Sequence, residues 1–177
     1  KNFRCPQKFS ACGNKKETID KHTKRGYNDR EDAPPKRREA AGKEFSLMKE
    51  VQIETLALNP FQKIGKEWML VAAGTPERCN AMTASWGGMG VMWGKNVAAC
   101  VIRPQRHTLG FLDQNETFTL SFFDPAHHAA LQYCGSHSGG ENQKIAEAGL
   151  TLLPDTQAPV FREASLTLVC RKLYRQP

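Results

Sequence analysis

Nowhere in this 177-residue chain do about 18 apolar residues follow one another, so no membrane-spanning helix is expected. The N-terminus also lacks the apolar stretch of a signal peptide, which leads to the expectation of a soluble, cytoplasmic protein. No CxxC pair occurs among the six cysteines, at 5, 12, 79, 100, 134 and 170. Their irregular spacing gives no disulfide framework and fits free thiols in a reducing compartment. Cys5, Cys12 and His22 have neither the spacing nor the fourth ligand of a zinc site. A GxGxxG fingerprint is missing as well: the nearest stretch, Gly88-Met89-Gly90-Val91-Met92-Trp93-Gly94, has the wrong last spacing, which excludes a dedicated Rossmann module. There are no internal repeats, and nothing resembles a Ser/His/Asp or metal-hydrolase constellation.

Charge is spread unevenly. Residues 1–47 carry 13 Lys/Arg against 7 Asp/Glu, whereas residues 48–177 carry 12 against 11, so the net charge of +7 belongs almost wholly to the first segment. That segment holds only Ile19 and Leu47 as branched aliphatics and runs through Asp29 to Arg38 without apolar periodicity. It cannot bury enough surface to offset the entropy of ordering, and a disordered tail or leader is expected there. Its Lys36-Arg37-Arg38 run is of the kind that touches RNA, DNA or an anionic membrane surface, but it reads first as a solvated tail, and neither nucleic acid nor a membrane is the expected partner. Residues 48–177 form the expected domain.

Within the domain, Asn59-Pro60 reads as the N-cap and first position of a short helix. Strands are expected at about 67–73, 79–84, 97–102, 117–123 and 164–174 from their Val, Ile, Leu, Thr and Phe content. Helices are expected over Gln105 to Gln114 after Pro104, over Pro125 to Gln132 with Asp124 as N-cap, and over Glu141 to Ala148 before Gly149. Short strands with helices at the connections point to a small closed or partly closed β-barrel rather than a parallel α/β sheet.

Four segments hold the residues suited to a ligand. Asn80-Ala81-Met82-Thr83-Ala84-Ser85-Trp86-Gly87-Gly88 combines an amide, two hydroxyls, an indole and paired glycines, which suits a flat ligand with a polar rim; it reads equally as a strand and a Gly-rich turn with a partly buried Trp. Arg103-Pro104-Gln105-Arg106-His107-Thr108 offers two guanidinium forks and a hydroxyl to an anion. Thr117 to Phe123 is a strand. Tyr133-Cys134-Gly135-Ser136-His137-Ser138-Gly139-Gly140 is followed by Lys144. His127 and His128 are expected on an exposed helix surface, and His137 is either a ligand contact or a turn histidine facing water. Cys134 is read as a small buried hydrophobe.

In this order and spacing the four segments resemble the flavin reductase-like, FMN-binding split-barrel family, and within it the flavoredoxin branch, over roughly Asn59 to Arg175. The resemblance implies a mainly β fold with short helices, a Greek-key split β-barrel, whose relatives continue for several tens of residues with further strands. A chain incomplete at its C-terminus is therefore expected. It also implies FMN as cofactor, with the ring at Asn80, Thr83, Ala84, Ser85 and Trp86 and the phosphate at Arg103, Arg106, Thr108, Ser138 and Lys144. NAD(P)H would bind transiently over the flavin, electrons would pass to free flavin, an acceptor protein or another acceptor, and the protein would be a homodimer. No side chain is expected to act as a catalytic acid, base or nucleophile, since the redox chemistry belongs to the flavin. An FMN-binding electron carrier without nicotinamide activity, or a binding module without cofactor, is the alternative.

Overall fold

The computed structural model describes residues 9–11, 48–139 and 143–176. Its strands are β1 (Phe9–Ala11), β2 (Lys49–Glu50), β3 (Met69–Gly74), β4 (Cys79–Ala84), β5 (Gly87–Met92), β6 (Lys95–Cys100), β7 (Thr117–Phe123) and β8 (Ala164–Arg171). The α-helices are α1 (Pro60–Gly65), α2 (Thr108–Gln114), α3 (His128–Ser136) and α4 (Lys144–Glu147). Six strands form one sheet in the order β2-β1-β8-β7-β3-β4, and β5 and β6 pair only with each other. The fold is mainly β with short helices, as expected, but among the described residues the sheets do not close into a barrel: β4 and β2 are the free edges, and the chain leaves β4 for a separate hairpin.

The centre of the sheet explains its stability. Every residue of β3, Met-Leu-Val-Ala-Ala-Gly, is buried, because both faces of the sheet are covered. Met69, Val71 and Ala73 join Leu120, Phe122 and Leu168 on one face, with Ile64 of α1 and Leu112 of α2 against them. Leu70 and Ala72 join Phe123, Leu131, Cys134 and Phe161 on the other, under α3. Each Leu or Val so buried contributes about 1.5–3 kcal/mol. Polar residues on the buried strands are paired: Thr119 Oγ1 donates to the Pro159 carbonyl at 2.6 Å, and the Ser121 and Thr167 hydroxyls meet at 3.0 Å.

Asn59 caps α1 as its sequence suggests, accepting from the N–H of Phe61 at 3.0 Å. Other boundaries move. The helix expected from Gln105 begins at Thr108, because residues 103–107 turn instead, Arg106 N–H bonding the Arg103 carbonyl at 3.0 Å. The helix expected from Pro125 starts as a 3-10 turn (Pro125–His127), and α3 then runs on to Ser136, so that Cys134 and Gly135 are helical rather than part of a turn. The third begins at Lys144, residues 141 and 142 lying outside the described residues. Strand β5 was not expected. Trp93 and Gly94, with φ of 51° and 66°, form a two-residue turn between the paired Met92 and Lys95, a geometry for which glycine at the second position is well suited.

The tail expected to be disordered contributes β1, whose Phe9–Ala11 backbone pairs with Leu166–Leu168 of β8. The remainder of residues 1–47, with Cys5, Cys12, His22 and the basic run, lies outside the described residues.

Candidate functional site

A cleft of about 140 Å³ opens where the large sheet hands over to the hairpin, lined by Thr83, Ala84, Ser85, Trp86, Val101, Arg103, Arg106 and Gly135. Thr83 and Ala84 close β4, Val101 and Arg103 follow β6, and Gly135 belongs to the last turn of α3. The Thr83 hydroxyl donates to the Leu131 carbonyl, and a Cβ on Gly135 would stand 3.3 Å from that of Thr83, so α3 lies closely on β4.

Cations gather around this cleft. Arg106 donates through Nη1 to the Gly135 carbonyl at 2.9 Å, placing a guanidinium at the C-terminal end of α3, where the helix dipole favours positive charge. Burial, and then the neighbouring Arg103, pull its pKa below the usual arginine value, yet a guanidinium stays charged. The Arg103 guanidinium lies 6.0 Å from the centre of the half-exposed Trp86 ring, within cation–π range. Lys144, only 3% exposed, stands behind the cleft and donates to the His137 carbonyl at 3.2 Å. Burial lowers its pKa; the thiol of Cys134 opposes this and Arg106 adds to it. Among the described residues, the salt bridges are Lys63–Glu67 and Asp113–Arg175, so none of the three cations is neutralised by a carboxylate. A buried cation without a counter-charge costs free energy, which an anionic ligand would offset.

The structure thus brings six of the residues singled out from the sequence, Thr83, Ala84, Ser85, Trp86, Arg103 and Arg106, to one cleft, with Lys144 behind it. Asn80 and Thr108 are elsewhere. They are 3% and 1% exposed, and Asn80 Nδ2 donates to Thr108 Oγ1 at 3.0 Å. Ser138 is exposed in the loop after α3. His137 is turned back on its own helix, its ring stacked 3.9 Å from Tyr133 and its Nδ1 3.0 Å from Ser136 Oγ. His128 is exposed, as expected, with its ring 4.5 Å from that of Trp68, whereas His127 is half-buried and its Nδ1 lacks a hydrogen-bond partner. Cys134 is fully buried and burial raises its pKa, as its reading as a small hydrophobe requires. Val101 and Gly135 were missed. The signal for Val101 was its position two residues before Arg103, on the side of the chain that reaches the same cleft.

A larger cavity of about 200 Å³ opens at the other end of α3, lined by Lys66, Glu67, Phe123, Asp124, Pro125, His128 and Leu131. None of the residues expected at the flavin ring or phosphate lines it, and its two carboxylates do not suit an anion. Among the described residues no cluster of His, Cys, Asp and Glu can hold a metal, and no helix is long and apolar enough to cross a membrane.

The flavin reductase like domain profile matches residues 61–177. The chain belongs to the flavin reductase-like family. A search of curated proteins gave no significant match. Among solved structures, the fold is similar to an FMN-binding domain of a flavin reductases-like enzyme from Shewanella baltica, with a TM-score of 0.56, 19% identity, and coverage of 66% of this chain and 62% of that one. It is also similar to a putative flavin reductase with a split barrel domain from Shewanella frigidimarina (TM-score 0.55, 18% identity, 68% and 66% covered). Flavoredoxin of Desulfovibrio vulgaris is a third (TM-score 0.50, 20% identity, 70% and 77% covered). These likenesses establish the split-barrel fold class for a family member that spans 62% of the Shewanella baltica chain.

Proposed function

We propose that this family member binds FMN in the cleft at the end of β4 and works as an NAD(P)H-dependent flavin reductase-like oxidoreductase. The observation that carries the reading is the pair of guanidinium groups, Arg103 and Arg106, lining the cleft without a carboxylate partner beside hydroxyl and indole groups, with the buried Lys144 near enough to Arg106 to feel its charge. A phosphate is the charge such a set lacks, and a guanidinium fork matches its oxygens with charge-assisted hydrogen bonds. Ser85 and the backbone of Ala84 would face the polar rim of the ring, and the Thr83 hydroxyl, which already donates to Leu131, can only accept from it. Trp86, 58% exposed, would cover apolar ring area.

The chemistry supplied there by bound FMN is acceptance of a hydride from a reduced nicotinamide and delivery of electrons to free flavin, a partner protein or another acceptor. The chain's own groups bind, orient and neutralise; none needs to serve as nucleophile or base. The cleft is smaller than the roughly 300–1,000 Å³ typical of ligand pockets. One chain would therefore hold the phosphate side and one edge of the ring. A second copy closing over the exposed Trp86 and Val101 would complete the site, which supports a homodimer. The absence of disulfides among Cys79, Cys100, Cys134 and Cys170 fits a cytoplasmic setting.

The test is the visible spectrum of the purified protein, followed anaerobically. Flavin bands that bleach on adding NADH or NADPH support the proposal. Bands that persist would leave an electron carrier without nicotinamide activity, and a protein that stays colourless after incubation with FMN would overturn the reading.

A further inference from the structure

The cavity of about 200 Å³ at the N-terminal end of α3 shares no lining residue with the candidate cleft, and nothing in the flavin reading uses it. Its floor is apolar, made by the buried Phe123 and Leu131 with Pro125 beside them. Charges of both signs stand around that floor. Glu67 is already held by Lys63 at 2.6 Å, but Lys66 and Asp124 have no ion-pair partner among the described residues and do not pair with each other. Asp124 occupies the N-cap position of the Pro125–His127 turn without its carboxylate capping it. A carboxylate in that place ordinarily bonds the free N–H groups of the turn, so this one is left available. Trp68 joins the two sides of the cavity: it follows Glu67 in the chain and sets its ring 4.5 Å from that of His128. Its φ of 66° is a left-handed conformation that bulky side chains rarely adopt, and strain of this kind is kept where surrounding contacts over-determine it and gathers at ligand sites.

We propose that this cavity is a second binding site, for a small zwitterion with an apolar side chain, of the free amino acid class. Two unpaired charges of opposite sign on the rim of an apolar hollow match a ligand that carries both. Its ammonium group would face Asp124, its carboxylate Lys66, and its side chain would cover Phe123, Pro125 and Leu131. Size sets the limit. A cavity of about 150 Å³ with apolar walls takes a benzene ring, so about 200 Å³ leaves room for a ring or a branched aliphatic group with the charged head at the mouth. A ligand with only an anionic head would meet the two carboxylates, and one with only a cationic head would leave Lys66 uncompensated. Nothing in this arrangement depends on flavin in the cleft.

The probe is L-phenylalanine, titrated into the full chain by isothermal calorimetry, with phenethylamine and hydrocinnamate as the compounds that lack one charge or the other. For a ligand of this size a dissociation constant on the order of 1 mM is expected. Each one-charge compound should bind at least about tenfold more weakly, having lost one charged hydrogen bond. Asp124→Asn and Lys66→Met, both at exposed positions, should each weaken phenylalanine by about tenfold while the melting temperature without ligand stays as in wild type. Saturation with FMN should leave phenylalanine binding unchanged, since the two sites share no residue. Absence of binding up to about 10 mM would overturn the proposal, as would equal binding of a one-charge compound or phenylalanine binding indifferent to both substitutions. Displacement of phenylalanine by FMN would put it in the cleft and overturn the proposal as well.

Discussion

Strands β3 and β5 have the same length, six residues, and opposite fates. β3 lies between β4 and β7 and is buried along its whole length, its Leu-Val-Ala run filling cores on both faces of the sheet. β5 carries three glycines, pairs only with β6, and leaves Val91 and Met92 beside Trp93 in solvent. Only the inner side of the hairpin, through Met89, Ala98 and Cys100, reaches the core. Apolar side chains on β3 secure a buried platform, while the glycines of β5 leave a thin flap with an open face. The candidate cleft forms at their junction, so that its walls come from the end of β4 and its rim from the base of the hairpin.

The most severe break of this contrast is in the platform. Phe122→Ala on β7 removes a fully buried ring and is expected to cost about 3–5 kcal/mol in a urea titration, with flavin binding lost only as the domain unfolds.

The thiols sharpen the comparison. Burial pushes Cys79, at the start of β4, and Cys100, at the end of β6, up to about 11, with Glu77 adding to the shift at Cys79. At neutral pH each should react with iodoacetamide roughly a hundredfold more slowly than a free thiol of ordinary pKa. If the hairpin opens more readily than the sheet, Cys100 should be modified before Cys79, as peptide mapping would show. These raised values also mean that the unfolded chain loses thiol protons first, so the stabilising contribution is full below pH 9 and falls as pH rises through 11.

Lys144→Met separates stability from function. The folded pKa of Lys144 lies below its ordinary 10.5, so its burial cost is fully present at neutral pH. It is relieved as pH rises through the folded pKa toward 10.5, a range in which the unfolded chain binds more protons. Without ligand, the Met variant should melt higher than wild type at pH 7–8, with the gap narrowing as pH rises. Its FMN affinity should fall by roughly 1.5–3 kcal/mol, the loss of one charged hydrogen bond. The smallest effect belongs to the flap: Trp93→Ser and Val91→Ser should change stability by no more than about 0.5 kcal/mol.

Legibility in the sequence followed the same division. The bounds of β4 and β7 were readable because apolar and β-favouring residues fill them and a turn or charged residues flank them. β5 was not, since Gly-Gly-Met-Gly has no strand preference and is held only by pairing with β6; Trp93-Gly94 was its one local sign. In the site, Arg103 and Arg106 were legible as chemistry that needs an anion. Asn80 was legible as a candidate site residue, whereas its hydrogen bond to Thr108, 28 residues away, and the close approach of Gly139 are contacts that no local pattern encodes.

The most direct test of the cationic cleft is a fluorescence titration of wild type and Arg106→Ala with FMN and riboflavin. Wild type is expected to bind FMN more tightly than riboflavin, with Trp86 fluorescence quenched by both. Arg106→Ala should lose roughly 1.5–3 kcal/mol of FMN affinity and hardly any for riboflavin. Equal affinities of wild type for the two flavins, or an equal loss of both in the variant, would contradict the account.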